Sequence, residues 1–328
     1  SPYLRLGIHP VEGLNGMVSL MGGMEQLAAA SPSAYLCIEA TVRLFGRAVA
    51  AWGTAEQQAK WLSPLLEGEL IGALAVSETA FDDGTTPFAT RGEMQAGQVA
   101  VEGVKQAVVN APVADWIAVA GVCDGAQAIF VIEKGAPGLT VDAVLETSGY
   151  EGAPIAGISL AGCRIPESQV IMPPDGARME SVLRKWEDQV LVGASLGLSK
   201  CAFEAARDCA KTTHGGKKPL IARQEIGFKL AEMMTLCQTS QLLAFRAAWA
   251  LENASAEAEE LLDCAKVFCA EAAEQVCSDA VQIMGCSGCA LANPAARAFR
   301  CAAYGQIAGT PTEIARSRLG DAAMGSKY

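Results

Sequence analysis

The sequence has few residues that could build a metal centre. It contains two histidines, His9 and His214, and one CxxC pair, Cys286 and Cys289, among 328 residues. Structural zinc sites use four Cys or His ligands, commonly arranged as two such pairs. We therefore expect no metal site. Most other cysteines fall in helical patterns as small buried hydrophobes. Cys286 and Cys289 form either a redox pair or, as we favour, two small residues at a crowded turn.

Long apolar runs are lacking as well, because Gly, Lys or Glu interrupts each of them. No segment therefore has the length that a membrane-spanning helix needs. The first residues, SPYLRLGIHP, form neither the apolar core of a secretory signal nor an Arg-rich transit peptide. Twelve cysteines without such a signal indicate a reducing compartment. We expect a cytoplasmic protein with no membrane span.

Basic residues are the smaller charged class, with 25 Lys and Arg against 36 Asp and Glu and a formal net charge of −11. This balance argues against nucleic acid or an anionic membrane as the main partner. It remains compatible with a local basic pocket for an anionic small molecule.

What is present divides the chain into three parts. Residues 1–68 follow helical patterns and include a capping box, in which Thr54 and Gln57 satisfy each other's backbone N–H groups. Residues 69–173 hold short apolar or alternating runs separated by turn residues, with no segment of helix length. This pattern predicts a mainly antiparallel sheet, as a barrel or a sandwich. From 174–328, long helical patterns return.

The last part predicts a four-helix bundle. Long helices are expected over Met179–Thr212, over Leu220–Asn253, and from a Ser255 cap to Met284, followed by two shorter ones. The predicted fold class is therefore α+β and multidomain. It has a shortened N-terminal helical domain (1–68), a β domain (69–173) and a C-terminal helical bundle (174–328).

Several stretches in this order resemble the acyl-CoA dehydrogenase superfamily over essentially the whole chain. They are KWLSPLLEGELIGALAVSE, NAPVADWIAVAG, ARQEIGFKLAEM, DAVQIMGCSGC and IAGTPTEIARSRLG. The resemblance implies that the first two and the last contact a flavin. It further implies that the third is a dimer-facing helix and that the fourth reaches the partner subunit's cofactor.

The chemistry of this superfamily needs a carboxylate that removes the α-proton of an acyl-CoA thioester while the β-hydride goes to the flavin. Most members carry that Glu where this chain has Ala308. A minority branch, which includes isovaleryl-CoA dehydrogenase, carries it on the long helix after the β domain, in surroundings like KWEDQVLVGASLG. The resemblance thus implies Glu187 as the base. Asp188 follows where Arg is common. It is a rival base, a like charge that raises the pKa of Glu187, or a sign that the site is not used for this chemistry.

The resemblance implies FAD as cofactor and assigns it a set of contacts: Ser77, Val109, Gln282, Gly285, Thr310 and Glu313. Gln282 and Thr310 also have plainer interpretations, as a polar residue at a helix end and as a helix cap. The remaining flavin positions depart from the family. Asp82, Asp83 and Gly84 stand where Gly-Ser-Asp is usual, and an Asp at the Ser position faces phosphate unfavourably.

Further departures lie near the flavin ring and the pyrophosphate. Ala107 and Val109 replace a Trp and a Thr, so Val109 offers no hydroxyl. The turn THGGKKP has no Arg, and only Lys217 or Lys218 could substitute as point charges. Cys286 replaces the second Gly of the Gln-containing loop.

Two functions from different classes follow. The first is a FAD-dependent dehydrogenase of a branched, cyclic or otherwise non-standard acyl-CoA, which passes electrons to an electron-transfer flavoprotein. The second is a subunit that keeps the fold but has lost flavin binding, as a structural or regulatory partner in a heteromer or as a non-redox CoA-ester binder. A flavin monooxygenase or oxidase is a third reading. On the first two, we expect a homo- or heterotetramer.

Overall fold

The computed structural model describes residues 2–9, 11, 16–78, 87–174, 176 and 178–325. Contacts divide the chain into two compact units. The sheet unit comprises Ser1–Gly13, Leu36–Glu146 and Glu151–Trp186, and the helical unit comprises Leu14–Tyr35, Thr147–Tyr150 and Glu187–Tyr328. The predicted division at 1–68, 69–173 and 174–328 stays a prediction. The predicted order of helices, then strands, then helices is confirmed.

The helices before the first strand are short. They are α1 (Pro2–Arg5), α2 (Gly16–Ala30), α3 (Pro32–Glu39), α4 (Arg47–Trp52), α5 (Ala55–Gln57) and α6 (Ser63–Glu67). Two π-helical stretches, Ala40–Gly46 and Gln58–Leu62, join α3 to α4 and α5 to α6.

The predicted capping box opens α5. Thr54 Oγ1 accepts from Gln57 N at 3.3 Å, and Thr54 N donates to Gln57 Oε1 at 2.9 Å. The Gln57 amide also donates to the carbonyls of Ser168 and Val170, at 3.1 and 2.9 Å. The cap therefore fixes both the start of α5 and its contact with the end of the sheet region.

The described strands form one mixed sheet. They are β1 (Gly72–Ala75), β2 (Arg91–Gln95), β3 (Gln98–Val109), β4 (Trp116–Cys123), β5 (Ala126–Glu133), β6 (Leu139–Val141), β7 (Ile155–Pro166) and β8 (Val170–Ile171). Their order is β6-β7-β3-β2-β4-β5-β8, with β1 beside β4.

Most pairings in the sheet are antiparallel, as predicted, while β4 pairs in parallel with both β1 and β2. β1 is buried along its whole length and β4 along most of it. Strands covered on both faces are the kind that tolerate parallel pairing. The predicted barrel or sandwich is thus, in the described residues, a single mixed sheet.

Helices make up most of the helical unit. The long ones are α7 (Met179–Thr212, which begins in the sheet unit), α8 (Gln224–Glu252) and α9 (Ala258–Met284). Shorter helices follow, α10 (Pro294–Ala302), α11 (Tyr304–Ile307) and α12 (Thr312–Ala323). α9 packs against α8, α10, α11 and α12. It buries small residues such as Ala265, Cys269 and Cys277, which agrees with the predicted use of cysteine as a small hydrophobe.

Two predicted helix starts are wrong by a few residues. α8 begins at Gln224 rather than Leu220, because Pro219 leads into a separate 3-10 turn, Leu220–Ala222. α9 begins at Ala258. Ser255 Oγ accepts only a long hydrogen bond of 3.4 Å from Glu257 N, and it does not cap the helix.

None of the described helices is long and apolar enough to cross a membrane. In the part of the chain that the structure describes, no group of three or more His, Cys, Asp or Glu side chains could hold a metal ion.

Replacing Thr54 tests whether its side chain stabilises the start of α5. Thr54→Ala is expected to lower the free energy of unfolding by about 1 kcal/mol, because the Gln57 N–H loses its acceptor. Denaturant titration measures the change. Glu56→Ala, exposed in the same turn, is the matched control and should change stability little. Equal losses in both variants would contradict the capping argument.

Candidate active site

A fully buried lysine organises the sheet unit around the predicted cofactor residue Ser77. Lys105 Nζ donates to the carbonyl of Val76 and to Glu78 Oε1, both at 2.8 Å. Glu78 also accepts from the backbone N–H groups of Ala89, at 2.6 Å, and Thr90, at 2.9 Å. Glu78 therefore ties the chain that precedes residues 79–86 to the chain that follows them.

Strand β3 turns Lys105 inward by the ordinary alternation of its side chains. Val99, Val101 and Lys105 are buried, while Val104 and Gln106 are exposed. The pairing with β7 shifts after Lys105, where Ala107 lies in the left-handed region with φ of +52°. Sequence reasoning missed this residue, although a lysine in step with the alternating apolar residues Val99 and Val101 was the available signal.

The Glu78 carboxylate is held in its charged form. Partial burial by itself raises its pKa, but hydrogen bonds from Lys105, Thr90 and Ala89 outweigh burial, and the pKa lies below the usual value. Because these donors come from separate segments of the chain, the charge of Glu78 contributes to holding them together.

The two predicted cofactor residues of the sheet unit offer little free polar surface. Ser77 is half-buried, and its hydroxyl accepts from Arg184 at 3.3 Å. Val109 ends β3 opposite Ile155 and is half-buried and apolar. The next residue, Asn110, is buried, and its amide nitrogen donates to the carbonyl of Cys37 at 2.8 Å and to Thr41 Oγ1 at 3.1 Å. The predicted loop residues Asp82, Asp83 and Gly84 lie outside the described residues.

The predicted base and its neighbour differ in their surroundings. Glu187 lies half-buried on α7, whereas Asp188 is fully buried. Asp188 Oδ1 accepts from Thr310 N at 2.7 Å and lies 3.9 Å from Lys266 Nζ. The structure therefore brings together Asp188 and Thr310, which were predicted for different roles.

Lys266 completes this group from α9. Its Nζ donates to the carbonyls of Gly305, at 2.5 Å, and Ala308, at 2.8 Å. The turn from Gly305 to Thr310 is thus bound by Asp188 of α7 and Lys266 of α9. Sequence reasoning missed Lys266. Its place in a run of small apolar residues, Ala265-Lys266-Val267, was the signal that could have found it.

Gly309 allows the turn to approach α7. Its φ is +64°, a left-handed conformation that favours glycine, and an added Cβ would lie 2.5 Å from Asp188 Oδ1 and 2.9 Å from Leu191 Cδ1. The turn therefore needs glycine both for its backbone conformation and for space.

Burial opposes charge at the centre of this group. It raises the pKa of Asp188, against the influence of Lys266, Thr310 and Arg318. It likewise lowers the pKa of Lys266, and the carboxylates of Asp188 and Glu187 oppose that change. Glu187 is thus close enough for its charge to be felt at Lys266.

Tyr304 is the second neighbour that senses Glu187. Burial, and then the charge of Glu187, raises the pKa of the Tyr304 phenol. Its ring meets the ring of Tyr150, with centroids 5.2 Å apart. The charge of Glu187 therefore acts on both Lys266 and Tyr304.

The other predicted cofactor residues of the helical unit are on its surface. Gln282 is exposed in the last turn of α9, and Gly285 follows with φ of +59° and open space around its Cα. Glu313 is exposed at the start of α12 and accepts from Thr312 Oγ1 at 3.2 Å. No described hydrogen bond joins these three to Thr310. Their joint role as a binding site stays a prediction.

Comparisons with known proteins agree with the resemblance of the motifs. The family model described as acyl-CoA dehydrogenase, C-terminal domain, matches residues 185–324, and that for the N-terminal domain matches residues 9–69. Benzylmalonyl-CoA dehydrogenase of Aromatoleum aromaticum is 30% identical over 267 residues, which cover 80% of this chain and 70% of that protein.

Two further comparisons extend over most of the chain. Mitochondrial isovaleryl-CoA dehydrogenase of Oryza sativa is 28% identical, covering 90% of this chain and 74% of that protein. The solved structure of butyryl-CoA dehydrogenase from Megasphaera elsdenii has a TM-score of 0.88 at 24% identity, covering 94% of this chain and 83% of that one. This last likeness shows a shared fold.

The Glu78–Lys105 pair predicts a pH dependence of stability. The pKa of Glu78 is lower in the folded chain than the ordinary value of 4.5. Its stabilisation is therefore complete above the unfolded-state pKa and is lost as pH falls through the folded-state pKa. In Glu78→Gln, the free energy of unfolding should therefore decrease less than in the parent as the pH is lowered below the ordinary pKa of glutamate. Exposed Glu93→Gln is the control, and an identical pH slope in parent and Glu78→Gln would refute the pairing argument.

Proposed function

Because the chain belongs to the acyl-CoA dehydrogenase family, we propose that it removes hydrogen from the α and β carbons of a non-standard acyl-CoA. Glu187 is the proposed base. The observation that carries this choice is the placement of Glu187, half-buried on α7, where its charge acts on Lys266 and Tyr304, while Ala308 occupies the commoner base position without a carboxylate.

Of the two adjacent carboxylates, Glu187 is the better base. Asp188 is fully buried and already accepts the N–H of Thr310. A general base must come within hydrogen-bond reach of the proton that it removes. Glu187 keeps part of its surface accessible. The α-proton of a CoA thioester would pass to its carboxylate oxygen.

The proposed acyl group is branched, cyclic or aryl-bearing. Two relatives are named for such substrates, benzylmalonyl-CoA and isovaleryl-CoA. The glutamate on the long helix instead of at position 308 supports the same class. Electrons would leave through an electron-transfer flavoprotein, as the resemblance implies.

FAD, when bound, would supply the acceptor for the β-hydride. The described residues fit it unevenly. The Gln282 amide and the open backbone at Gly285 are exposed at the end of α9 and are suited to a cofactor contact. Ser77 accepts from Arg184, Thr310 gives its N–H to Asp188, and Val109 has no polar atom. Gln282 and Gly285 would contact the cofactor of the partner subunit, as the resemblance implies, and the other positions would contribute less to the chain's own cofactor.

The residues that fit flavin contact poorly favour a second candidate function. Val109 and the exposed, left-handed Ala107 offer no hydroxyl or indole to a flavin. Thr310 is buried and engaged within the chain. These observations suit a subunit that keeps the fold without flavin. It would act as a structural or regulatory partner of an active paralogue, or as a non-redox CoA-ester binder.

Association with other subunits is proposed on either reading. Phe228, Leu242 and Trp249 recur at multiples of seven residues on α8 and are 66%, 72% and 56% exposed. Large apolar residues exposed along one helical stripe mark an interaction surface. The chain is proposed to form a tetramer, made of identical subunits or of this chain and a paralogue.

The visible spectrum tests the choice between the two candidates. The dehydrogenase is expected to be yellow and to bleach when an acyl-CoA substrate is added. Absorbance spectroscopy of the purified chain, alone and with its paralogue, measures this. Protein that stays colourless after incubation with FAD in both preparations would exclude the first candidate and support the second.

Substitution of the base tests the mechanism separately. Glu187→Gln should lower kcat by about 10²–10⁴-fold, because the amide cannot accept the proton, while bound flavin is retained. Glu204→Gln, exposed on the same helix, is the control and should keep parental turnover. Turnover assays and flavin absorbance give both readouts. Unchanged turnover in Glu187→Gln would remove Glu187 from the mechanism.

A further inference from the structure

A buried ion pair lies directly beside the proposed base. Lys266 and Asp188 each have 1% exposed side chains, and Asp188 adjoins Glu187 on α7. We propose that Lys266 is a positioning residue for Glu187, which clamps the turn Gly305–Thr310 onto α7 and neutralises Asp188. This proposal rests on Glu187 being the base.

The clamp is built from several charge-assisted hydrogen bonds. Lys266 binds the carbonyls of Gly305 and Ala308, and Asp188 binds the N–H of Thr310. Such bonds are stronger than those between neutral groups, and their geometry is narrow. Gly309 has no side chain that would hold the turn away from α7. Together these contacts fix where position 308 lies relative to the helix that carries Glu187.

The charge of Lys266 has a second effect. An unpaired carboxylate at Asp188 would be a like charge next to Glu187 and would favour protonation of the base. Lys266 offsets that charge. Among the described residues, Asp263 of α9, Tyr304 of α11 and Arg318 of α12 also act on this network. Of these three, only Arg318 adds positive charge, so removing Lys266 leaves an ionised Asp188 less compensated.

Stability alone does not account for this arrangement. Buried ion pairs are commonly neutral or unfavourable compared with well-packed apolar residues, because desolvation offsets their attraction. Apart from Lys266 and Asp279, the buried residues of α9 are Ala, Leu, Val, Ile and Cys, so an apolar residue at 266 is compatible with the composition of the helix. What Lys266 adds is a fixed geometry and a fixed electrostatic potential at Glu187.

The decisive variant is Lys266→Met, alone and combined with Asp188→Asn. In the single variant, hydrogen exchange in peptides covering 305–312 should become roughly tenfold faster. Its kcat should fall with KM nearly unchanged, and the acid limb of the kcat/KM pH profile should move up by roughly one unit. In the double variant the acid limb should return toward its parental position, while exchange stays fast.

Lys229→Met is the matched control. It breaks another ion pair of α9, between Lys229 and the buried Asp279 at 2.6 Å. It should leave exchange at 305–312 and the pH profile unchanged. If Lys266→Met does not fold, Lys266→Gln keeps an N–H donor without the charge and should move the acid limb in the same direction.

The outcomes separate this proposal from the proposed function. Retained turnover in Glu187→Gln would show that Glu187 is not the base, and Lys266 would then have no base to position. Hydrogen exchange at 305–312 would still test whether Lys266 holds the turn against α7. If Glu187→Gln is inactive, parental exchange and an unmoved acid limb in Lys266→Met overturn the role of Lys266. Faster exchange with parental kinetics reduces Lys266 to a structural residue. In a preparation without flavin, turnover cannot be measured, and hydrogen exchange at 305–312 alone tests whether Lys266 holds the turn against α7.

Discussion

The helical unit depends on how a buried ammonium group is satisfied. Lys266 lies in the apolar interior of α9, where an unpaired charge would be strongly unfavourable. It is compensated by backbone carbonyls of one turn and by the carboxylate of Asp188. That requirement constrains α7, α9 and the turn Gly305–Thr310 together, because none of them can shift without leaving a buried polar group unpaired.

The sheet unit uses the same device. Lys105 is also fully buried and also binds a backbone carbonyl and a carboxylate, those of Val76 and Glu78. In both units the lysine lies next to positions that the resemblance connects with cofactor or catalysis: Ser77 in one, Glu187 and Thr310 in the other. In both places a buried charge holds irregular backbone at a defined position.

Local patterns were sufficient for the elements and insufficient for the site. The capping box at Thr54 and the bounds of α7 follow from neighbouring residues and were predicted from the sequence. The parallel pairing of β4 and the starts of α8 and α9 depend on tertiary packing and on Pro219, so propensity misplaced them. Ordered motifs identified the family. The contact of Asp188 with Thr310 joins residues 122 positions apart, and no periodicity in either segment indicates it. Asp188 therefore read as a rival base, whereas the structure has it binding the turn.

The exposed stripe on α8 has a practical consequence for anyone who produces this chain. Phe228, Leu242 and Trp249 leave apolar surface exposed to solvent when no other subunit covers it. A recombinant chain made alone is then prone to self-association or precipitation, and a colourless or insoluble preparation would reflect an orphan subunit as readily as a lost cofactor site. Co-production with candidate paralogues, screened by solubility and yield, is therefore the form in which the molecule is best obtained.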